Sequence, residues 1–301
     1  APLFSTVLML AVPAAIAGCK EVVLCSPPDK NGNLNPAILY AANLCGVTKI
    51  IKVGGIQAIA GMTFGTATIP KVYKIFGPGN QYVTAAKQMI QQEGVAIDMP
   101  AGPSEVCVYA DETSIASFVA GDLLSQAEHG VDSQVILIAN SIEIVEQVQK
   151  ELDMQLVLLP RKEIATKALA HSKAIVIENT EEAIAMMNEY APEHLILSIN
   201  NAAQVAEKII NAGSIFIGNF SPESVGDYAS GTNHVLPTYG YSKTVSSLSL
   251  TDFYRRYTVQ RLSAQGMRNI GPAIEVLAAA EGLQAHANAV SLRLAALRQG
   301  E

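Results

Sequence analysis

Short apolar runs alternate with amphipathic stretches over the first part of the chain. The runs KEVVLCS (20–26) and KIIKVGG (49–55) are rich in β-branched residues and predict strands, whereas AILYAANLCG (37–46) and YVTAAKQMIQQEG (82–94) predict helices. Because parallel strands need a long crossover connection, strand, helix and strand in this order predict a parallel sheet with crossover helices.

A second alternating region extends from Ser104 to about Ser249. Its apolar runs are continuous, which predicts strands that are covered on both faces of a parallel sheet. The strand candidates are 133–140, 156–160, 173–179, 194–199 and 214–219, and the helices between them include 142–152 and 202–213.

After Thr251 the pattern becomes helical with few breaks, most clearly over 271–299. A helical stretch that follows two sheets either caps its own domain or reaches across to a partner. We therefore predict three parts: an α/β domain at 1–104, a second α/β domain at 105–250 and a C-terminal helical arm at 251–301.

Composition narrows the class of protein. With 301 residues, of which 50% are hydrophobic and 16% charged, the chain is typical of a folded globular protein. Its 20 Lys and Arg against 27 Asp and Glu give a net charge of −7 without a long basic run, so no nucleic-acid partner is expected. Cys25 and Cys107 lie in strand-like runs, which predicts reduced, buried thiols and a cytoplasmic location.

The N-terminal segment APLFSTVLMLAVPAAIAGCK (1–20) is similar to a bacterial lipoprotein signal, because its apolar run ends in Ala-Gly-Cys. It lacks the positively charged start of such signals, Pro13 interrupts it, and it is short for a membrane span. We therefore expect a buried helix here and no membrane contact. The absence of an initiator methionine suggests that further residues precede Ala1 in the natural protein.

The segment LSQAEHG (124–130) contains a candidate for binding chemistry. If it ends a helix, Gln126 and His129 share one face, either in a buried hydrogen bond or in a metal site. Asp227, in the Gly-, Ser- and Asn-rich segment SPESVGDYASGTNH, adds a carboxylate, although it could instead cap a turn. Nitrogen and oxygen ligands suit zinc, but no HExxH or CxxC pattern is present, so the residues alone leave the metal open.

The dipeptide Glu193-His194 stands at the start of a predicted strand, directly after Pro192. Two adjacent bases could serve two successive proton transfers, or they could simply begin a strand at the surface. Two glycine-rich segments, FGPGN (76–80) and VGGIQAIAG (53–61), could receive a nucleotide phosphate at a helix N-terminus. Neither has the GxGxxG pattern, so tight turns explain them equally well.

Several segments together resemble the histidinol dehydrogenase family, in that family's order and over nearly the whole chain. They are FGPGN, DMPAGPSEV, LLSQAEHG, APEHL, SPESVGDYASGTNHVLPTYG and EGLQAHANAV. The resemblance implies an enzyme of histidine biosynthesis that oxidises L-histidinol to L-histidine through the aldehyde, using two NAD molecules in succession and one Zn²⁺ per site. It also implies an α/β fold of two Rossmann-like (incomplete, parallel-sheet) domains in tandem with a C-terminal helical arm.

The resemblance assigns roles to individual residues. His194 would be the general base for alcohol oxidation, and Glu193 would activate the water that adds to the aldehyde. Gln57 and Asn80 would contact NAD. The implied zinc ligands are Gln126, His129, Asp227 and, from the partner subunit of a homodimer, His286. The implied substrate contacts are Ser104, Gln126, His129, His194, Asp227, Glu281 and His286, of which Glu281 would also come from the partner.

The sequence departs from the family at its start, because the family has well over a hundred residues before the position of Ala1. Those residues include a tyrosine that contacts NAD. Two rival interpretations therefore stand beside the dehydrogenase. One is a zinc hydrolase in which Glu193 is the base, and the other is a non-catalytic fragment with exposed sheet edges.

Overall fold

The computed structural model describes residues 3–299, which contain nine β-strands and twelve α-helices. The chain divides into two compact units, the first ending at Tyr254 and the second beginning at Arg255. Every strand pairing in the described residues is parallel. The fold class is therefore mixed α/β with parallel sheets, as the sequence predicts, while the division into two Rossmann-like domains stays a prediction.

The N-terminal part of the first unit contains two separate pairs of short strands. One pair is β1 (Val23–Cys25) with β2 (Lys49–Ile51), and the other is β3 (Lys74–Ile75) with β4 (Ala96–Ile97). The helices of this part are α1 (Phe4–Ile16), α2 (Pro36–Leu44), α3 (Gly55–Phe64) and α4 (Gln81–Ile90), the last followed by a short 3₁₀ helix at Gln91–Glu93.

Helix α1 is buried along one face rather than all round. Val7, Ala11 and Ala14 are buried, whereas Val12 and Ile16 on the other sides of the helix are exposed. Val7 and Ala11 pack with Ala41 of α2, so the N-terminal apolar segment is a helix of the fold that is buried on one face and leaves apolar side chains exposed on the others. No helix among residues 3–299 is both long and apolar enough to cross a membrane.

The remainder of the first unit is built on a five-stranded parallel sheet with the strand order β7-β6-β5-β8-β9. Its strands are β5 (Glu105–Ala110), β6 (Gln134–Ala139), β7 (Lys173–Val176), β8 (His194–Ser198) and β9 (Ser214–Ile217). Its helices are α5 (Ala116–Ala127), α6 (Ile142–Leu156), α7 (Lys162–Leu169), α8 (Thr180–Tyr190), α9 (Ala202–Ala206) and α10 (Glu223–Tyr228), and 3₁₀ helices follow at Tyr241–Lys243 and Leu250–Phe253.

Both faces of this sheet are covered, which confirms the prediction from its continuous apolar strands. Val106 and Val108 of β5 point to one side and pack against residues of α5, α6 and α7. Cys107 and Tyr109 point to the other side, where α8 and α9 lie. Each side chain of this kind contributes roughly 1.5–3 kcal/mol when fully buried. The thiol of Cys107 is buried as predicted, but that of Cys25 is only half-buried.

Two predicted elements of this part of the chain differ from the structure. The strand at 156–160 does not form, because α6 continues to Leu156 and a turn follows in which Val157 and Leu158 are exposed. These two apolar residues therefore do not occupy buried positions in a sheet. The predicted helix at 202–213 is regular only as far as Ala206, after which the chain turns toward β9.

The second unit is an antiparallel pair of helices, α11 (Ala264–Ala280) and α12 (Gln284–Gln299), so the stretch predicted to be helical with few breaks is helical with a break between Ala280 and Gln284. Gly282 separates them with a φ of 72°, a left-handed conformation that ends helices and favours glycine. The two helices approach closely where Gly271 faces Leu294, since a Cβ on that glycine would lie 3.0 Å from the leucine methyl groups.

Candidate active site

The polar groups predicted to do chemistry gather at the amino ends of two neighbouring strands. His194 begins β8 and pairs with Val106 of β5, whose first residue is Glu105. Helix α5 runs back along the sheet, so its last turn returns Gln126 to the same edge. Ligand sites in open parallel sheets usually lie at the carboxyl ends of strands, so this location departs from the usual rule.

Three side chains place potential metal ligands around one point. Single ligand atoms of His129, Glu223 and Asp227 lie within 4.8 Å of one another, and His129 is the member exposed to solvent. Asp227 lies within α10 rather than in a loop. Glu223 precedes it by four residues and therefore shares its helix face, a spacing in SPESVGD that the sequence analysis missed.

Gln126 joins this group through Glu223. Its hydrogen-bonding surroundings orient the carboxamide so that the nitrogen donates to both carboxylate oxygens of Glu223, the longer contact being 2.9 Å. The carboxamide oxygen accepts a longer bond of 3.2 Å from the backbone N–H of Glu105. The structure thus brings together Gln126, His129 and Asp227, the three predicted ligands of this part of the chain.

The acidic side chains of this cluster lie close together and are shielded from water, which makes their charged forms less stable. Burial raises the pKa of Glu223 well above its usual value, and the nearby Asp227 and Asp122 raise it further. Burial also raises the pKa of Asp227, which His234 and His129 oppose. Although His129 as a whole is exposed, desolvation lowers the pKa of its imidazole, and Asp227 counteracts this. A cation would offset the carboxylate charge, and the mixed nitrogen and oxygen donors fit Zn²⁺.

The geometry of His194 favours a neutral imidazole with one free nitrogen. Its Nδ1 lies 3.0 Å from the backbone carbonyl of Glu105, an acceptor, so Nδ1 carries the proton and donates it. Burial lowers the pKa of His194 to about 4, which keeps the ring uncharged near neutrality. Its Nε2 is buried and has no hydrogen-bond partner among the described residues. That nitrogen therefore holds a lone pair ready to accept a proton.

Glu193 is held by the backbone of the same residue, Glu105. Its Oε2 accepts a bond of 2.8 Å from the backbone N–H of Glu105 and lies 3.6 Å from Nδ1 of His194. Burial raises the pKa of Glu193 well above its usual value; the bond from Glu105 opposes this shift, and neighbouring carboxylates add to it. A carboxylate in such surroundings is a stronger base once ionised. Glu105, which the sequence analysis missed, therefore orients both predicted catalytic residues through its backbone.

Ser104 immediately precedes this peptide and is half-buried. Its carbonyl oxygen accepts a bond of 3.1 Å from the N–H of Gln134, which fixes the start of β5 beside β6. The structure thus places Ser104 next to the residue that holds Glu193 and His194. Its predicted contact with substrate stays a prediction.

The two residues predicted to contact NAD lie elsewhere in the first unit, each shortly after a strand. Gln57 is exposed in the first turn of α3, and Asn80 is the exposed N-cap of α4. The carboxamide oxygen of Asn80 accepts from the N–H groups of Tyr82 and Val83. Gly79 has no room for a side chain, because a Cβ there would meet Val83 at 2.5 Å. This close turn leads into the N-terminus of α4, and the contacts of Gln57 and Asn80 with NAD stay predictions.

The last two predicted site residues belong to the second unit. Glu281 ends α11, His286 lies in the first turn of α12, and both are exposed. Their delivery to the site of a partner subunit stays a prediction. The remaining histidines have structural contacts: Nε2 of His171 lies 3.0 Å from the carbonyl of Ser133, and Nε2 of His234 lies 3.2 Å from the hydroxyl of Thr6.

Known proteins are similar to this chain both in sequence and in the arrangement of helices and strands. The family model described as histidinol dehydrogenase matches residues 1–294. Histidinol dehydrogenase of Bacteroides thetaiotaomicron is 62% identical over 298 residues, covering 99% of this chain and 70% of that protein. The crystal structure of histidinol dehydrogenase from Elizabethkingia anophelis is 60% identical and superposes with a TM-score of 0.95, covering 99% of this chain and 69% of that one. With a matching sequence, a matching fold and a convergent set of polar groups, this chain belongs to the histidinol dehydrogenase family.

Proposed function

We propose that the protein oxidises L-histidinol to L-histidine through L-histidinaldehyde, in two successive NAD-dependent hydride transfers that complete histidine biosynthesis. The observation that carries the proposal is the free Nε2 of His194 beside Glu193, in a chain 62% identical to a named histidinol dehydrogenase. One neutral base and one carboxylate, both bonded to the backbone of Glu105, suit a reaction with two different proton transfers.

The first oxidation removes a hydride from the carbon that bears the hydroxyl group, and the hydroxyl proton must leave with it. In our proposal Nε2 of His194 accepts that proton. Since Nδ1 is tied to the carbonyl of Glu105 at 3.0 Å, the ring cannot rotate its free nitrogen away from the site without losing this bond. The resulting imidazolium is stabilised by Glu193, whose carboxylate lies 3.6 Å from Nδ1.

The second oxidation needs a molecule of water to add to the aldehyde before another hydride can leave. Glu193 takes the proton from that water. Its bond to the N–H of Glu105 uses only Oε2, so Oε1 remains to accept the proton. We propose that Gln57 and Asn80 would hold NAD, which would supply the hydride acceptor for both oxidations.

We propose that Gln126, His129 and Asp227 hold one Zn²⁺, together with His286 of the partner subunit in a homodimer. When bound, the metal supplies a template that fixes the imidazole and amino nitrogens of histidinol. Ser104 and the partner subunit's Glu281 complete the substrate contacts in this proposal. The convergence of His129 and Asp227 with a bonded Gln126 in one unit supports the ligand set.

The stoichiometry of cofactor reduction tests the proposal. Purified full-length protein with Zn²⁺, excess NAD and limiting histidinol should form two molecules of NADH for each histidinol, measured by absorbance. A zinc hydrolase would form none, and an alcohol dehydrogenase that stops at the aldehyde would form one. Either of these results would contradict the proposed function.

A further inference from the structure

Gly213 directly precedes β9 and faces the start of β8, where the two proposed catalytic residues lie. A Cβ atom on this glycine would lie 2.5 Å from the backbone carbonyl oxygen of Glu193 and 3.2 Å from its carbonyl carbon. We propose that Gly213 is a positioning residue: because it has no side chain, the chain before β9 can hold the peptide between Glu193 and His194 in the place that catalysis needs. This inference rests on the proposed function.

Backbone conformation does not explain the glycine at this position. Gly213 is not among the described glycines with a positive φ, so a side chain would not be forced into the left-handed region. It does not end a helix either, because α9 ends at Ala206. The close approach of its backbone to Glu193 remains as the physical reason for a residue without a Cβ atom.

Gly213 is held on several sides, so it cannot easily move away from Glu193. Its N–H donates to the carbonyl of Pro192 at 2.9 Å, and its own carbonyl accepts from the hydroxyl group of Ser247. A Cβ atom there would also lie 3.2 Å from the Cβ of Leu236, which is buried. A side chain at this position would therefore displace the peptide of Glu193.

The peptide that would be displaced carries both proposed bases. Its carbonyl oxygen accepts from the N–H of Ser214 at 2.9 Å. The carboxylate of Glu193 lies 2.8 Å from the N–H of Glu105 and 3.6 Å from Nδ1 of His194. Since a Cβ essentially never lies within 3.0 Å of such an atom, the peptide would have to shift by about 0.5 Å or more from the 2.5 Å position. A misplacement of about 1 Å can lower an enzymatic rate about 100-fold.

The groups proposed to bind zinc lie on other elements. Gln126 lies in α5, His129 follows the end of that helix, and Asp227 lies in α10. The atoms nearest to a Cβ on Gly213 belong to none of these three residues. A positioning role therefore predicts a lower kcat with little change in KM or in zinc affinity. A role in stability alone predicts less folded protein with an unchanged kcat for each zinc-loaded site.

The experiment compares full-length wild-type protein with Gly213→Ala, using histidinol and histidinaldehyde as separate substrates and counting zinc-loaded sites by titration against a chromogenic chelator. We expect kcat for each zinc-loaded site to fall about 10- to 100-fold, with KM and the zinc dissociation constant changed less than about threefold. In the Glu193→Gln background, Gly213→Ala should lower aldehyde oxidation by a smaller factor than in the wild type, because the carboxylate that it misplaces is gone.

Gly121→Ala is the matched control. Gly121 lies in α5, and the nearest atom to a Cβ there is Oε1 of Gln155 at 3.6 Å, an ordinary contact with a flexible side chain. This variant should keep kcat within about twofold of the wild type. A kcat within twofold for folded Gly213→Ala, an equal loss in the control, or a loss of zinc affinity in proportion to kcat would overturn the positioning role.

Urea unfolding of each variant checks the fold. If Gly213→Ala does not fold, Ser247→Ala replaces it, because this variant releases the carbonyl of Gly213 without adding an atom. It should lower kcat about threefold or more at unchanged KM, and an unchanged kcat would overturn the positioning role. NADH formation from histidinol by the wild-type protein decides the proposed reaction separately, so the two failures are distinguishable.

Discussion

Lys87 and Asp98 form an ion pair that is closed to solvent, with side chains 1% and 0% exposed. The ammonium group also donates to the carbonyl of Gly77 at 2.7 Å, and the Asp98 carboxylate accepts from the N–H of Gly77 at 2.7 Å. Burial lowers the pKa of Lys87, which the attraction of Asp98 opposes. One buried pair thus holds both polar groups of Gly77, three residues before the proposed NAD contact Asn80.

Breaking this pair from one side should destabilise the protein strongly. Lys87→Met leaves the Asp98 carboxylate buried without its counter-ion, so we expect a loss of about 3–5 kcal/mol in the free energy of unfolding. The double variant Lys87→Met/Asp98→Asn should lose clearly less than the sum of the single variants, because it buries no lone charge. Urea unfolding measures all three, and simple additivity would show that the pair is not coupled.

Substitutions of the two proposed catalytic residues, Glu193 and His194, should separate the two oxidations. Glu193→Gln should keep much of the turnover of histidinol to the aldehyde but lower aldehyde oxidation about 10²- to 10⁴-fold, because only the second step needs an activated water. His194→Asn should impair both steps, because the hydrated aldehyde, like the alcohol, also loses a hydroxyl proton as its hydride leaves. Turnover is measured with histidinol and with histidinaldehyde as separate substrates. Equal effects of Glu193→Gln on the two would remove the assignment.

Asn80 allows cofactor binding to be separated from helix capping. Asn80→Ala removes both the cap and the amide N–H donors, so it should cost about 1 kcal/mol of stability and weaken NAD binding. Asn80→Ser keeps a capping oxygen and should preserve stability while weakening NAD binding as much as Asn80→Ala does. Calorimetric titration with NAD in the presence of histidinol measures the affinity. Normal NAD affinity in Asn80→Ser would place the cofactor elsewhere.

The carboxyl group of Asp122 should make the free energy of unfolding fall as pH rises. Burial raises its pKa to about 7 in the folded protein, above the value of roughly 3.9 for an unfolded chain. The protonated form is therefore favoured by folding, and its stabilising contribution is complete below pH 3.9 and disappears as pH rises through about 7. Asp122→Asn should stabilise the protein at pH 8 by on the order of 2 kcal/mol and change little at pH 4. An equal change at both pH values would contradict this.

The proposed exchange of the C-terminal arm predicts that two inactive variants restore each other. If His286 binds zinc in the partner's site, His286→Ala and Asp227→Ala homodimers should each be inactive. A mixed dimer would then contain one site with both defects and one intact site. Random mixing should recover up to about a quarter of wild-type activity, because half of the dimers are mixed and one site in two is intact. Absence of recovery in a verified mixed dimer would refute the shared site.

The sequence by itself determined the class of fold and predicted most residues of the candidate site. Its apolar runs located the strands of the five-stranded sheet at 134–139, 173–176, 194–198 and 214–217, because period and β-branching are local properties of the chain. Its motifs predicted Gln126, His129, Asp227, Glu193 and His194, all of which the structure places at one edge of the sheet. Local pattern failed at Val157 and Leu158, because nothing in an apolar run shows whether tertiary neighbours will cover it.

The tertiary structure decided which groups touch. Glu105 is separated from Glu193 by 88 positions, yet its backbone N–H and C=O hold Glu193 and His194, respectively. Glu223 meets Gln126 only because α10 returns to the end of α5, and Lys87 reaches Gly77 only because α4 turns its side chain back toward the loop. The pKa shifts of these groups follow from burial, which sequence spacing does not contain. Burial, and contact between residues distant in sequence, arise only when the whole unit packs. Packing thereby brings side chains from separate motifs together at one candidate site.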